Sequence, residues 1–331
     1  MFKKFKRTFF KKNYIYGGID PKPIYRLMEI CKTFCFTLNK LRKQKLKAYF
    51  SEQNLKDWGI YKEPEKKSFE PVITWIGQST FLIQIGNINI LTDPIFSDLM
   101  LFYPRNFKPG IELKDLPKID YILISHNHKD HMEKKSLLYL KSHDPVILVP
   151  KGNKKWFEKN NFKKIYEKDW GQIENFDDLK ISMLPAIHWA GRSLNSINKS
   201  LWGSWMIEFN GFKIYFAGDT AYSGHFTQIS EEFKNINIAL MPLGPVEPRR
   251  LQKYSHIDGH QAIQGFIDLK AEHFVAMHWG TYCLGSDDFY DPINCVKKAW
   301  QEKSNLLQNK KLHLIGFGEQ LKFHFGSQVE Q

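Results

Sequence analysis

The 331-residue chain reads as an α+β protein, two β-sheets with helices on their outer sides. Three observations predict this. Short apolar runs rich in β-branched and aromatic residues recur from Val72 onward. Gly86-Asn87 and Asn210-Gly211 each separate two such runs, and Asn-Gly is the strongest short hairpin signal because both residues tolerate positive φ. Strand-like runs cluster early in each half of this region, with helical stretches after them.

The elements follow in chain order. Residues 1–18 mix Lys3, Lys4, Lys6, Arg7, Lys11 and Lys12 with Phe2, Phe5, Phe9 and Phe10, and end in the turn signal Gly17-Gly18. A mobile segment is expected there. From Pro23, the positions Ile24, Leu27, Met28, Cys31, Cys35, Leu38 and Leu41 step by three and four, the period of one helix face. Lys32, Lys40, Arg42, Lys43, Lys45 and Lys47 crowd the rest of that surface. Such a helix either packs on the main domain with a solvated basic face or lies on anionic lipid. Lys62–Ser68, charged and broken by Pro64, reads as a linker. The expected division is a basic, partly helical extension over 1–69, a main domain over 70–325 and a tail over 326–331.

Within the main domain, strands are expected at 72–76, 80–85, 88–91, 121–125, 146–149, 179–184, 206–209, 212–216, 236–241 and 273–277. Helices are expected near 133–141, 153–160, 225–234, 259–270 and 292–308.

Composition narrows the function classes. Hydrophobic residues make up 42% and aromatic residues 15% of the chain, enough for a substantial core and too much for a disordered protein. The net charge of +13 is unevenly placed. Residues 1–70 hold 18 Lys/Arg and 7 Asp/Glu, a balance of +11; the remaining 30 and 28 leave +2 for residues 71–331. A near-neutral main domain argues against a nucleic-acid partner, and the basic arm suggests attraction to an anionic membrane surface. No run of 18 apolar residues suits a spanning helix, and the N-terminus has no apolar signal-peptide core. Cys31, Cys35, Cys283 and Cys295 form no C-x-x-C pair and are read as free thiols. A cytoplasmic protein, peripheral on the cytoplasmic membrane face, is expected.

The chemistry concentrates in His126-x-His128-x-Asp130-His131, just after the apolar run from Tyr121. A merely polar loop seldom carries four metal-capable side chains within six residues. Two imidazoles at i and i+2 of an extended segment point the same way. Asp130 and His131 then reach in from the turn that opens the next helix. Neutral imidazole and carboxylate suit zinc and related divalent ions. One loop cannot close two sites, but His188, Asp219 and His278 also follow strand-like runs. Gly218, before Asp219, permits close backbone approach.

In this order the seven residues resemble the ligand signature of the metallo-β-lactamase superfamily. Trp75-Ile-Gly77-Gln78-Ser-Thr80, Leu91-Thr-Asp93-Pro-Ile-Phe96, Leu201-Trp-Gly-Ser-Trp205, Gly244-Pro-Val-Glu-Pro-Arg249 and His278-Trp-Gly-Thr281 are similar to its N-acylphosphatidylethanolamine-hydrolysing phospholipase D branch and bacterial relatives. The likeness runs from about residue 70 to 325. It implies an αββα sandwich with two divalent ions, expected to be Zn2+, between the halves. His126, His128 and His188 would hold one ion, Asp130, His131 and His278 the other, and Asp219 would bridge them. Asp130 would also orient a hydroxide formed between the ions. Asp93 is either an outer carboxylate orienting a ligand imidazole or a turn residue before Pro94. His256 has a counterpart expected beside the substrate, against a plain helix-start histidine. His225 is a weaker candidate. Arg249 and Arg250 either grip a phosphate or serve the scaffold. Gln78, Lys129 and Val246 depart from the branch pattern at positions expected to line the substrate groove.

The leading expectation is a zinc phosphodiesterase of phospholipase D type acting on a phospholipid, releasing an N-acylethanolamine and leaving phosphatidic acid. Alternatives are a soluble metal-dependent lactonase and a membrane-tethered binding protein without turnover. Seven competent residues at the ligand positions argue against the last. Family analogy is the sole ground for expecting a homodimer.

Overall fold

The computed structural model describes residues 52–99 and 103–325. The helix predicted from Pro23, the basic arm before it and the tail over 326–331 lie outside the described residues. Strands β1 (Val72–Gly77), β2 (Thr80–Ile85), β3 (Ile88–Thr92), β4 (Tyr121–Leu123), β5 (Val146–Pro150) and β6 (Ile165–Lys168) build the first sheet. Strands β7 (Ile173–Phe176), β8 (Leu179–Leu184), β9 (Ser204–Phe209), β10 (Phe212–Phe216), β11 (Ile238–Pro242), β12 (His273–Met277) and β13 (Lys311–His313) build the second. The last strand, β14 (Gln320–Lys322), returns to the first sheet.

Each sheet has seven strands, in the orders β14-β1-β2-β3-β4-β5-β6 and β13-β12-β11-β10-β9-β8-β7. Both repeat one plan. The strands from β14 to β3, and from β7 to β10, pair antiparallel. From β3 to β6 and from β10 to β13 they pair parallel.

Period-two alternation explains how the first sheet buries both faces. Ile73, Trp75, Phe81, Ile83, Leu123 and Leu148 point into the core shared with the second sheet. Their neighbours Ile76, Leu82, Ile122, Ile124, Ile147 and Val149 point the other way, onto a separate cluster. That cluster is closed by Leu137 and Leu140 of helix α2 (Lys134–Leu140) and Phe157 of α3 (Lys154–Lys159). On the far side, Phe226 of α4 (His225–Glu232) meets Tyr215 with ring centroids 6.4 Å apart. Phe266 of α5 (Gly259–Leu269) meets Phe274 at 5.5 Å. Helix α6 (Asp291–Glu302) adds Ile293 and Val296. The architecture is helix, sheet, sheet, helix.

The stretch 52–69, assigned by sequence to the extension, packs on this domain. Helix α1 (Glu52–Trp58) brings Trp58 edge-on to Trp279 at 4.7 Å, and Trp58 O accepts from Phe317 N at 2.7 Å. Residues 60–68 run on without regular secondary structure. The side-chain amides of Gln84 and Asn89 cap the Glu65 and Lys66 carbonyls at 2.9 and 2.8 Å. No helix among the described residues is long and apolar enough to cross a membrane.

Candidate metal centre

Five strand ends aim at one point. Asp93 follows β3, His126 follows β4, His188 follows β8, Asp219 follows β10 and His278 follows β12. The approach is close because Gly218 (φ +58°) lies against the neighbouring turn, where an added Cβ would stand 2.6 Å from Ser125 Cβ. Gly203 N donates to Ser125 O at 3.0 Å and stitches the second sheet to the same turn.

The side chains form two adjoining groups of donor atoms. His126, His128 and His188 make one; Asp130, His131, Asp219 and His278 make the other. In the first, His128 Nδ1 lies 2.8 Å from His126 Nε2 and 3.2 Å from His188 Nε2. In the second, His131 Nε2 lies 3.2 Å from His278 Nε2, 3.3 Å from Asp130 Oδ2 and 3.2 Å from Asp219 Oδ2. Asp219 spans both groups: Oδ2 is 4.0 Å from His126 Nε2 and 3.7 Å from His188 Nε2, while Oδ1 is 3.1 Å from His278 Nε2.

The surroundings fix which ring nitrogens face inward. His131 Nδ1 donates to Asp93 Oδ2 at 2.7 Å. Asp93 also accepts from Ser125 N at 2.7 Å and from the Ser125 hydroxyl. Burial raises the pKa of Asp93, against the opposing His131 and Ser125 hydrogen bonds, and three donors converging on the carboxyl favour its ionised form. With its proton directed at Asp93, Ser125 Oγ is left to accept from His126 Nδ1 at 2.9 Å. His188 Nδ1 faces Ser255 O at 2.9 Å, a group that only accepts. In their neutral forms His126, His131 and His188 therefore all turn a bare Nε2 toward the cluster.

Electrostatics separate the groups. Burial, reinforced by the neighbouring imidazoles, holds His126 and His128 well below the ordinary histidine value. Burial takes His188 down to about 4. His131 and His278 are equally buried, but Asp219 and Asp130 overcome that and hold His131 well above its ordinary value and His278 at about 9. In return, those histidines overcome the burial of Asp130 and Asp219 and hold both carboxyls well below theirs. The donor set fits divalent ions: bare imidazole nitrogens and ionised carboxylates converge in a largely buried site.

Other expected residues fall at varying distances. His256 is beside the cluster, its Nδ1 buried without a hydrogen-bond partner and 3.8 Å from Asp219 Oδ2. Burial pushes it down to about 3. Arg249 makes the scaffold contacts that were one of its two expected roles. Its guanidinium pairs with Asp258 at 3.2 Å, donates to His256 O at 3.0 Å and reaches Gln261 Oε1. It holds the loop that carries His256. His225 lies behind the Asp219 turn, 3.2 Å from Thr220 Oγ1. Lys129 is exposed at the rim, whereas Gln78, expected in the groove, is buried against Asp130 and His278.

Sequence reasoning missed Ser125 and Arg192. Ser125 carries no signal of its own, since its role depends on the nearness of Asp93. Arg192 donates to Asn127 O at 3.1 Å and Met132 O at 2.7 Å, bracketing the motif loop, and its guanidinium lies 5.9 Å from the Trp156 ring centre. Its place four residues after His188 was the available hint.

Comparison with known proteins agrees with this geometry. Residues 88–279 match the β-lactamase superfamily domain. The chain is 38% identical over 231 residues to the mitochondrial N-acyl-phosphatidylethanolamine-hydrolyzing phospholipase D of Saccharomyces cerevisiae, covering 66% of this chain and 49% of that protein. It therefore spans about half the length of this yeast relative. It is 30% identical over 251 residues to N-acyl-phosphatidylethanolamine-hydrolyzing phospholipase D 1 of Caenorhabditis elegans, covering 70% of each. Among solved structures, the metallo hydrolase Igni18 of Ignicoccus hospitalis shares the fold, with a TM-score of 0.59, 22% identity, and coverage of 77% of this chain and 99% of that one. With its paired sheets, its converging donor groups and these matches, the chain belongs to the β-lactamase superfamily.

Proposed function

We propose that the chain is a metal-dependent hydrolase, a phosphodiesterase of phospholipase D type that holds two Zn2+ and cleaves N-acylphosphatidylethanolamine-like phospholipids. The observation that carries the reading is Asp219, one buried carboxylate reaching both donor groups, in a chain similar to two relatives that bear that activity in their names. His126, His128 and His188 would hold one ion and Asp130, His131 and His278 the other, with Asp219 in reach of both. When bound, the ions supply Lewis acidity, lowering the pKa of water and polarising a phosphoryl oxygen.

The chain's own groups do the rest. Asp93 and Ser255 O keep the ligand tautomers fixed. His256, neutral and with a free Nδ1, is placed to meet the phosphodiester beside Asp219. Asp130, its side chain 15% exposed, would orient the attacking water. The basic arm, +11 over residues 1–70, supports a substrate presented on an anionic membrane at its cytoplasmic face.

Full-length protein loaded with Zn2+ is expected to release N-acylethanolamine and phosphatidic acid from N-acylphosphatidylethanolamine liposomes. Chelation or Asp219→Ala is expected to abolish the release. Turnover of a soluble ester or lactone with none on liposomes would remove the lipid assignment and leave the hydrolase.

A further inference from the structure

Gln78 occupies a place that its position in the chain did not reveal. It sits in the turn between β1 and β2, only 1% exposed, with φ +50°. Its backbone is latched to the opposite sheet: its N–H donates to Thr281 Oγ1 at 2.6 Å, and its carbonyl accepts from His278 N at 3.0 Å. Trp75 Nε1 donates to the same carbonyl at 3.0 Å. So fixed, the side chain runs into the second donor group. Its amide nitrogen lies 2.9 Å from Asp130 Oδ2 and 2.9 Å from His278 Nε2.

The contact falls on a particular oxygen. Asp130 Oδ2, not Oδ1, also stands 3.3 Å from His131 Nε2 and 3.6 Å from His278 Nε2, so it is the oxygen turned to the second group. A carboxylate on a surface turn would rotate freely between its two oxygens. An N–H donated to Oδ2 from a buried, latched amide removes that freedom. The reverse amide assignment would set a carbonyl oxygen against the Asp130 carboxylate, two acceptors facing each other; the nitrogen meets His278 Nε2 as a donor once that ring nitrogen has given up its proton, as a ligand must.

We propose that Gln78 is a positioning residue of the second ion site: its amide N–H selects the oxygen that Asp130 presents and so sets the affinity for the second ion. The inference rests on the two-ion reading above. It adds a part of the centre outside the seven-residue signature.

The test separates reach from backbone. Asparagine tolerates the left-handed conformation better than most residues, so Gln78→Asn keeps the turn while its shorter side chain withdraws the amide from Asp130. Full-length protein is stripped and titrated with Zn2+ against a chromophoric chelator, which reads affinity without turnover. For Gln78→Asn, the second equivalent is expected to weaken about 10- to 100-fold, the usual effect of losing a partner of a metal ligand. The first equivalent and the melting temperature of the stripped protein should stay unchanged. Gln78→His, which restores a donor of similar reach, should recover most of the loss. An unchanged second equivalent in Gln78→Asn overturns the proposal, as does equal weakening of both. Tighter second-ion binding in Gln78→Glu, with no rescue by histidine, also overturns it, because the amide oxygen would then be a ligand. Wild-type protein that binds fewer than two ions defeats the two-ion reading instead, a result distinct from all of these.

Discussion

Replacing Asp93 by asparagine tests how the ligand imidazoles are oriented. The side chains are isosteric, so packing is retained, but the hydrogen-bond pattern cannot be. Asp93 accepts from Ser125 N, the Ser125 hydroxyl and His131 Nδ1. Asparagine offers one acceptor oxygen and one donor nitrogen. With the oxygen toward Ser125 N, the amide nitrogen faces His131 Nδ1 and Ser125 Oγ. His131 must then accept through Nδ1 and carry its proton on Nε2, the atom aimed into the second donor group. Ser125 Oγ, no longer donating to residue 93, turns its proton toward His126 Nδ1 and reverses that imidazole as well. The opposite amide orientation sets two donors face to face at Ser125 N. One substitution therefore disturbs a ligand in each group. At about 10- to 100-fold per disturbed ligand, the expected loss is about 1.4–2.7 kcal/mol of binding free energy for each ion. Zn2+ titration of stripped protein reads both equivalents, and nitrogen NMR of the histidine rings reads the tautomers. Wild-type affinity for both ions in Asp93→Asn, with His131 still protonated on Nδ1, would refute the reasoning.

Two further expectations follow from charge and packing. In the ion-free protein His278 stays protonated up to about 9, while His188 is neutral above about 4. Affinity at the second group should therefore fall as pH drops below about 9, and affinity at the first should stay level across neutral pH; chelator competition at several pH values checks both. For the ion-free fold the sign is the usual one for a raised histidine: stability from the His278 charge is full below its ordinary value of 6.5 and lost as pH rises through about 9. Gly218→Ala adds a Cβ 2.6 Å from Ser125 Cβ at φ +58° and should cost about 2–4 kcal/mol. Gly211→Ala, at φ +82° with no atom within 4 Å, should cost roughly 1–2 kcal/mol from conformation alone. Thermal denaturation distinguishes them, and equal losses would contradict the close approach of the Asp219 turn.

The strands that sequence periodicity located are the interior ones. The four it passed over, β6, β7, β13 and β14, are the outermost strands of the two sheets. They are three or four residues long and contain no fully buried residue, and they carry Lys168, Glu174, Lys311 and Lys322. Edge strands avoid the apolar runs that betray a central strand, because a long apolar edge invites aggregation. Legibility of the site followed a similar rule. His126 to His131 stand together in the chain, and their chemistry is local. His188, Asp219 and His278 were found by their setting after apolar strands, which the fold turned into shared position. Arg249 was left between two readings, because an arginine that grips phosphate and one that braces a loop look alike until Asp258 and Gln261 are seen beside it. Gln78 was judged by its difference from relatives, and only the turn geometry shows that it points inward.

The division of donors between the two sheets decides when the donor groups can form. His126, His128, Asp130 and His131 leave one sheet; His188, Asp219 and His278 leave the other. Each donor group draws on both. A nascent or half-unfolded chain with one sheet formed therefore lacks a complete set of either kind, and its histidines remain ordinary solvent-facing bases. A complete set of donors exists only once the halves have closed on each other.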